Sequence, residues 1–369
     1  MASIRYIDLA AQFAEERADL MPRIEAALAS GMYIGGAEVD ALESELASYC
    51  GVRHAITVNS GTDALMLGMA AAGIGSGDEV ITPPNSFVAS AAAIAKIGAT
   101  PVFADVRDDE LIDPAAVADA VTPRTAAVMA VHLRGAVCDM AALRAVAERH
   151  GLLLVEDAAQ AIGSRLGNVR SGALGDLGCF STHPLKLLNA AGDGGFITTN
   201  DAAVAQALRR MRNHGLVDRN TVEAWGIVSR IDAVQAAILR FRLERLDRTI
   251  ERRRVNAAFY QRVLASTSVA LPREGPGVFH TFNTYTIQLE ARDALQAWLT
   301  ERGVESLIHY PKPIHLQPAA ASLGVRNGLF PVTERLAHTI LSIPVHQFLL
   351  EDDLAAVAAG IADFFAHRG

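Results

Sequence analysis

From about residue 40 onward, short apolar runs alternate with alanine-rich patterns of helical period. His54-Ala-Ile-Thr-Val58 reads as a buried strand, and Ala64 to Ala72 as the helix that follows it. Glu79–Thr82 is a strand before a helix over Ala89 to Ile97, and Thr100–Asp105 a strand before a helix that starts at Pro114. Ala126–His132, Leu152–Glu156, Gly178–Ser181 and Phe196–Thr199 continue the series. Strand, helix, strand at this spacing predicts right-handed crossovers and a mostly parallel sheet with helices on both faces.

The pattern changes near Asp232. Residues 232–265 form one long amphipathic pattern dense in Arg and Glu, of the kind that bridges two domains. Strand candidates follow at Asn283–Leu289 and Glu305–His309, with helical patterns at Arg292–Glu301 and Glu351–Ala366. The expected organisation is a large domain over residues 1–248 and a smaller C-terminal α+β domain over residues 249–369.

Composition narrows the class. About half of the 369 residues are apolar, enough for a large buried core, and the formal charge of -8 disfavours nucleic acid as a partner. Cys50, Cys138 and Cys179 are three and widely spaced, which suggests neither a disulfide framework nor a zinc site. Asp8 falls where a signal peptide would be apolar, and no apolar run is long enough to cross a bilayer. A soluble cytoplasmic protein is expected.

Three stretches carry candidate chemistry, each at the end of an expected strand. In Val58-Asn-Ser-Gly-Thr-Asp-Ala-Leu65, free amides at a helix start suit a phosphate, Gly61 lets an anion approach, and Thr62 adds a hydroxyl. Ser60 or Thr62 reads equally as a simple helix cap. In Leu154-Val-Glu-Asp-Ala-Ala-Gln160, Asp157 ends a parallel strand, where open α/β sheets bind ligands. It would hold a protonated heterocyclic nitrogen, with Gln160 on the same rim, or simply start a helix. In Cys179-Phe-Ser-Thr-His-Pro-Leu-Lys186, a lysine in an apolar setting precedes the glycine-rich Gly192-Asp-Gly-Gly195. Desolvation there would disfavour its charge and free the amine for Schiff-base formation, although most lone lysines are solvated surface residues. A phosphate cup, an acid and a lysine, in that order, form the set that a pyridoxal phosphate enzyme needs.

These stretches, with Gly77-Asp-Glu-Val-Ile-Thr82, Ser86-Phe87 and Ile308-His-Tyr-Pro311 near His315, make the chain similar to the DegT/DnrJ/EryC1/StrS family of sugar aminotransferases, of fold type I. The resemblance spans nearly the whole chain. It implies a seven-stranded sheet and pyridoxal 5'-phosphate as cofactor. Lys186 would bind the cofactor and move the proton, Asp157 would pair with the ring nitrogen, and Gln160 would approach the ring hydroxyl. Gly61, Thr62 and Ser181 would hold the phosphate, and Phe87 would cover the ring face. His309, Tyr310 and His315 would lie near the substrate mouth. A homodimer with shared sites is implied, with Tyr33 and Arg230 reaching across. The implied reaction moves an amino group from glutamate to a nucleotide-linked ketosugar. Alternatives are a cyclitol ketone as acceptor, a family dehydratase, disfavoured because it carries histidine in place of the lysine, and a non-catalytic relative.

The chain departs from the family pattern at three places. Val228 stands where an asparagine would reach the neighbouring subunit's phosphate, Leu187 where an asparagine follows the lysine, and Arg134 where an aromatic residue is usual. Arg134 would suit a substrate with an added negative charge. Gly73-Ile-Gly-Ser-Gly77 lacks the dinucleotide-binding spacing and precedes a strand, which argues against a nicotinamide enzyme.

Overall fold

The computed structural model describes residues 3–367. Two helices, α1 (Leu9–Ala29) and α2 (Ala37–Cys50), precede the alternating segment. That segment runs β1 (His54–Val58), α3 (Gly61–Ala71), β2 (Glu79–Thr82), α4 (Ala89–Lys96), β3 (Thr100–Phe103), α5 (Pro114–Ala120), β4 (Thr125–Val131), α6 (Met140–His150) and β5 (Leu153–Asp157). A small hairpin, β6 (Arg165–Leu166) and β7 (Val169–Arg170), leads to β8 (Leu177–Ser181), β9 (Gly195–Thr199) and α7 (Ala202–Met211).

Seven strands form one sheet in the order β1-β9-β8-β5-β4-β2-β3. The run β3, β2, β4, β5, β8 is parallel throughout, and β9 alone runs against its neighbours β8 and β1. The sheet is therefore mostly parallel, as expected. Its strands are buried on both faces, so they read as continuous apolar runs such as Ala55-Ile56 and Leu154-Val155. One face packs Phe180, Phe196 and Ala158 against Leu42, Leu46 and Leu239. The other packs Ile56, Met129, Val155 and Ile197 against Leu65, Met69 and Leu208. Because β9 is the only reversed strand, the C-terminal ends of β1, β5 and β8 open on the same edge.

The pattern over residues 232–265 is two helices rather than one: α8 (Ala233–Leu243) and α9 (Leu246–Val263). Arg245, at φ -110° and ψ -1°, turns the chain between them. Leu243 and Leu246 are both buried on either side, so the turn keeps an apolar face inward on both helices. α8 packs on α1 and α2, whereas α9 enters a separate core.

That second core gathers Tyr260, Tyr285, Ile287, Leu299, Leu341, Val357 and Phe364. It is built by α9 with β11 (Tyr285–Gln288), α10 (Arg292–Glu301), β12 (Ile340–Ile343) and α12 (Glu351–Ala366). By contrast, β10 (Val278–Phe279) and α11 (Pro331–Thr339) pack elsewhere, α11 placing Leu336 beside Val106 and Ile340. β11 pairs antiparallel with β12, and β10 joins the small hairpin to complete a three-stranded sheet. Glu305–His309, expected as a strand, is not one: it makes a single bridge, Leu307 to Ser342. Leu307 and Ser342 exchange both backbone hydrogen bonds, at 3.0 and 2.8 Å, on the edge of β12 away from β11, but the ladder does not continue. The Glu305 amide donates to the Ile4 carbonyl at 3.0 Å, and its carboxylate accepts the Tyr6 amide at 2.8 Å. The N-terminal segment thus joins the C-terminal unit, with Ile4 bridged to Val304.

Candidate active site

The strand edge opens on a cavity of about 280 Å³ that brings together Gly61, Thr62, Phe87, Asp157, Gln160, Ser181, Lys186, His309 and Tyr310. Each arrives there for a local reason.

After β1 the chain turns directly into α3. Ser60 caps that helix, its hydroxyl accepting the Asp63 amide at 3.0 Å and its carbonyl accepting Ala64 at 3.0 Å. The amides of Gly61 and Thr62 have no partner among the described residues. Both readings of the turn are therefore realised, one residue apart. A Cβ on Gly61 would stand 2.6 Å from Cβ of Ser181, so only glycine leaves the cup open between β1 and β8. Two unsatisfied amides at the positive end of a helix, with the Ser181 hydroxyl opposite, form a cradle for a phosphate.

Asp157 ends β5 and is buried. No helix follows; the chain continues in turns. Its Oδ2 accepts the Ser90 hydroxyl at 2.8 Å and its Oδ1 the Ala159 amide at 3.3 Å. Ser90, on α4, is itself 2.7 Å from the Ser86 hydroxyl. Burial raises the Asp157 carboxyl above the usual carboxylate range, and the Ser90 hydrogen bond opposes that rise. A cationic ring nitrogen would restore the balance in favour of the carboxylate.

Lys186 lies in the turn after β8. Its amide donates to the His183 carbonyl at 2.8 Å, and Asn189 closes the turn by donating to the Pro184 carbonyl at 2.9 Å. The Nζ atom has no hydrogen-bond or ion-pair partner among the described residues. Burial lowers its amine to about 8, and the Asp157 charge pulls partly the other way. The lysine is the unpaired nucleophile that carbonyl chemistry requires.

On the rim, Gln160 accepts the Arg134 amide at 2.8 Å and donates to the Tyr310 hydroxyl at 3.4 Å. Phe87 is 54% exposed, with its ring 5.7 Å from that of Tyr310, so it covers the cavity rather than filling a core. His309 is held near neutrality: burial, then the Arg134 and Lys186 charges, lower it to about 4.

Three expected residues lie elsewhere. His315 is buried beside Phe103 and Phe330, 3.1 Å from Glu334, and does not line the cavity. Its position two residues past Pro313 carries it under the fold instead of to the mouth. Tyr33 is exposed and also outside the cavity, its carbonyl accepting the Ala233 amide at 2.9 Å. Arg230 donates to Asn213 at 2.8 Å and lines a neighbouring cavity with Ser60, Asp63 and Asp193.

The three departures resolve differently. Leu187 is buried in the core under the sheet. Val228 is half-exposed and bridged to Asn213. Arg134 turns away from the cavity, so its expected service to an anionic substrate does not hold. Its guanidinium is buried and ion-paired with Glu110, with Nη1 2.6 Å from Thr286 and Nη2 2.7 Å from the His309 carbonyl. The carboxylate it suits is the protein's own.

Sequence reasoning missed Ser90, although its four-residue helical spacing from Ser86 was a usable signal. It also missed Tyr6, Asn283 and Thr284, which line the cavity from outside the sheet edge.

Comparison with known proteins agrees with this geometry. The DegT/DnrJ/EryC1/StrS aminotransferase family matches residues 14–362. The chain is 44% identical over 344 residues to the erythromycin biosynthesis sensory transduction protein EryC1 of Saccharopolyspora erythraea, covering 93% of this chain and 94% of that one. It is 43% identical over 344 residues to the dTDP-3-amino-3,4,6-trideoxy-alpha-D-glucose transaminase of Streptomyces venezuelae, covering 93% and 91%. Among solved structures, DesV of S. venezuelae in complex with a ketimine intermediate superposes with a TM-score of 0.97 at 41% identity, over 99% of both chains. The chain belongs to the DegT/DnrJ/EryC1/StrS family and is a pyridoxal phosphate-dependent aminotransferase.

Proposed function

We propose that this enzyme moves an amino group from glutamate to the ketone of a nucleotide-linked sugar, working as a homodimer in the cytoplasm. The carrying observation is the Lys186 amine, unpaired and lowered to about 8, in one cavity with the Asp157 carboxylate and the free Gly61 and Thr62 amides. Pyridoxal phosphate, when bound, supplies the electron sink for the bond changes at the substrate carbon.

The chain's own residues do the rest. Gly61, Thr62 and Ser181 would hold the phosphate, and Asp157, itself oriented by Ser90, would keep the ring nitrogen protonated. Gln160 would approach the ring hydroxyl and Phe87 would cover the ring face. Lys186 Nζ is neutral in a useful fraction near pH 8, so it accepts the proton from the donor's α-carbon and returns it to the acceptor's carbon. His309 and Tyr310 stand at the substrate mouth. Tyr33, exposed, and Arg230, partly buried beside a neighbouring cavity, are candidates to serve the partner's site. The cofactor-binding unit is taken as residues 1–248 and the smaller unit as 249–369, divided where α8 gives way to α9. No described helix is long and apolar enough to cross a membrane.

The assignment of the acceptor leans on the relative named for a dTDP-amino sugar. A cyclitol ketone would use the same catalytic residues, and a dehydratase of the family would not retain Lys186. The regulatory name borne by the S. erythraea relative suggests a second, non-catalytic reading, but an unpaired buried lysine amine serves no sensor that lacks chemistry. Mixing the holoenzyme with glutamate tests the proposal: the visible absorbance of bound cofactor falls and 2-oxoglutarate is released. A panel of nucleotide ketosugars and cyclitol ketones then ranks acceptors. An absorbance that no amino donor moves would exclude transamination.

A further inference from the structure

Arg134 sits in the turn between β4 and α6 and lies outside the cavity, yet it holds two residues that line it. Its amide donates to Gln160 Oε1 at 2.8 Å, and its guanidinium donates through Nη2 to the His309 carbonyl at 2.7 Å. Gln160 Nε2 reaches the Tyr310 hydroxyl at 3.4 Å, and Tyr310 follows His309 in the chain. The four residues close a hydrogen-bonded ring at the cavity wall.

The links of this ring differ in strength. The two made by Arg134 have ordinary lengths, whereas that from Gln160 to Tyr310 is at the long limit for a hydrogen bond. Little else holds the mouth segment. Leu307 exchanges backbone hydrogen bonds with Ser342, and Ile314 donates its amide to the Pro84 carbonyl at 3.0 Å. Between them, among the described residues, the backbone of residues 308–311 makes only the hydrogen bond from Arg134. The His309 side chain adds a contact of 3.3 Å from Nδ1 to the Ser342 hydroxyl.

Arg134 is itself firmly anchored. Its Nε donates to Glu110 at 2.6 Å and its Nη1 to the Thr286 hydroxyl at 2.6 Å, and all three residues are at most 5% exposed. Water does not compete for a guanidinium buried so deeply, and its planar fork serves a carboxylate and a carbonyl at once. Arg134 and Glu110 both hold a left-handed backbone, at φ 65° and 71°, which is uncommon for residues with a Cβ. Such outliers gather where geometry serves a site.

We infer that Arg134 is a positioning residue for the acceptor sugar: it fixes His309 and Tyr310 at the mouth relative to Gln160. This rests on the transaminase reading above. Any substitution at Arg134 other than proline keeps the amide that holds Gln160 and removes the guanidinium that holds His309. The cofactor side of the ring is therefore preserved while the mouth side is released.

The test uses two variants of the holoenzyme. Arg134→Lys keeps a cation beside Glu110 but presents one ammonium in place of the fork. Arg134→Met with Glu110→Gln removes both charges together and covers the case in which the lysine variant does not fold. Cofactor absorbance and the glutamate half-reaction should stay near the wild type. KM for a nucleotide ketosugar should rise about three- to tenfold, as for about one lost hydrogen bond at the mouth. Adding Tyr310→Phe to either variant should cost less than the product of the separate losses, because both changes act on the same segment. Unchanged ketosugar KM, equal losses for glutamate and ketosugar, or fully multiplicative losses with Tyr310→Phe would overturn the positioning role. A wild-type enzyme that releases no 2-oxoglutarate would instead overturn the functional reading beneath it.

Discussion

Oγ of Ser90 lies 2.8 Å from Oδ2 of Asp157, which ties the first turn of α4 to the end of β5 directly beneath the cavity. The acid proposed to meet the cofactor ring thus cannot rotate freely, and this hydrogen bond offsets part of the rise that burial causes. Ser90→Ala removes a hydrogen bond to a charged acceptor, worth about 1.5–3 kcal/mol. Cofactor affinity should fall about ten- to a hundredfold, read by titrating apoenzyme with pyridoxal phosphate. Asp157→Asn should lose donor reactivity altogether while remaining folded.

The pH dependence of cofactor capture follows from Lys186. Burial lowers the amine from the ordinary lysine value to about 8, so the neutral nucleophile becomes dominant above pH 8. Below that point its fraction falls about tenfold per pH unit. The rate of covalent capture by apoenzyme should rise between pH 6 and 8 and level off above, followed by absorbance. A rate still climbing steeply through pH 10 would show an ordinary, solvated lysine. Borohydride reduction of the holoenzyme should fix cofactor mass on the wild type and none on Lys186→Ala.

Gly61→Ala tests the phosphate cup separately from the ring contacts. The added methyl would meet Ser181 at 2.6 Å, closing the space between the α3 amides and β8. The variant should lose affinity for pyridoxal phosphate by about 1.5–3 kcal/mol and much less for pyridoxal, which has no phosphate to seat. Competition between the two aldehydes measures the difference.

Arg134 should matter for stability before it matters for substrate. Its guanidinium ties the loop at Glu110 to Thr286 on β11 and to the His309 carbonyl. Arg134→Met leaves Glu110 buried without a cation and should cost about 3–5 kcal/mol in denaturant unfolding. Pairing it with Glu110→Gln should recover part of that loss.

How far the sequence could be read is visible in these same residues. Lys186, Asp157, Ser181 and Gly61 were legible because each follows an apolar run whose end position fixes the sheet edge. The strand positions and the mostly parallel sheet followed from the same runs, whereas the strand order and the reversal of β9 did not. Arg134 was misjudged because sequence records its charge but not its direction, and Glu110 waits 24 residues upstream. The turn between α8 and α9 contains no Gly or Pro, so the amphipathic pattern runs through it unbroken. β12 has only four residues, too few to show a period, and the strand expected at Glu305–His309 shrinks to one bridge with it because Glu305 is taken up by the N-terminal segment. α1 and α2 precede the alternation, and Tyr6 reaches the cavity only through contacts with residues some 300 positions away.

The most direct test of the account is transfer of labelled nitrogen. Holoenzyme given 15N-glutamate and a nucleotide-linked ketosugar should yield 2-oxoglutarate and an amino sugar carrying the label, both lost in Lys186→Ala. Glutamate turnover without label in any sugar would refute the proposed acceptor, and no turnover with any amino donor would contradict the central claim.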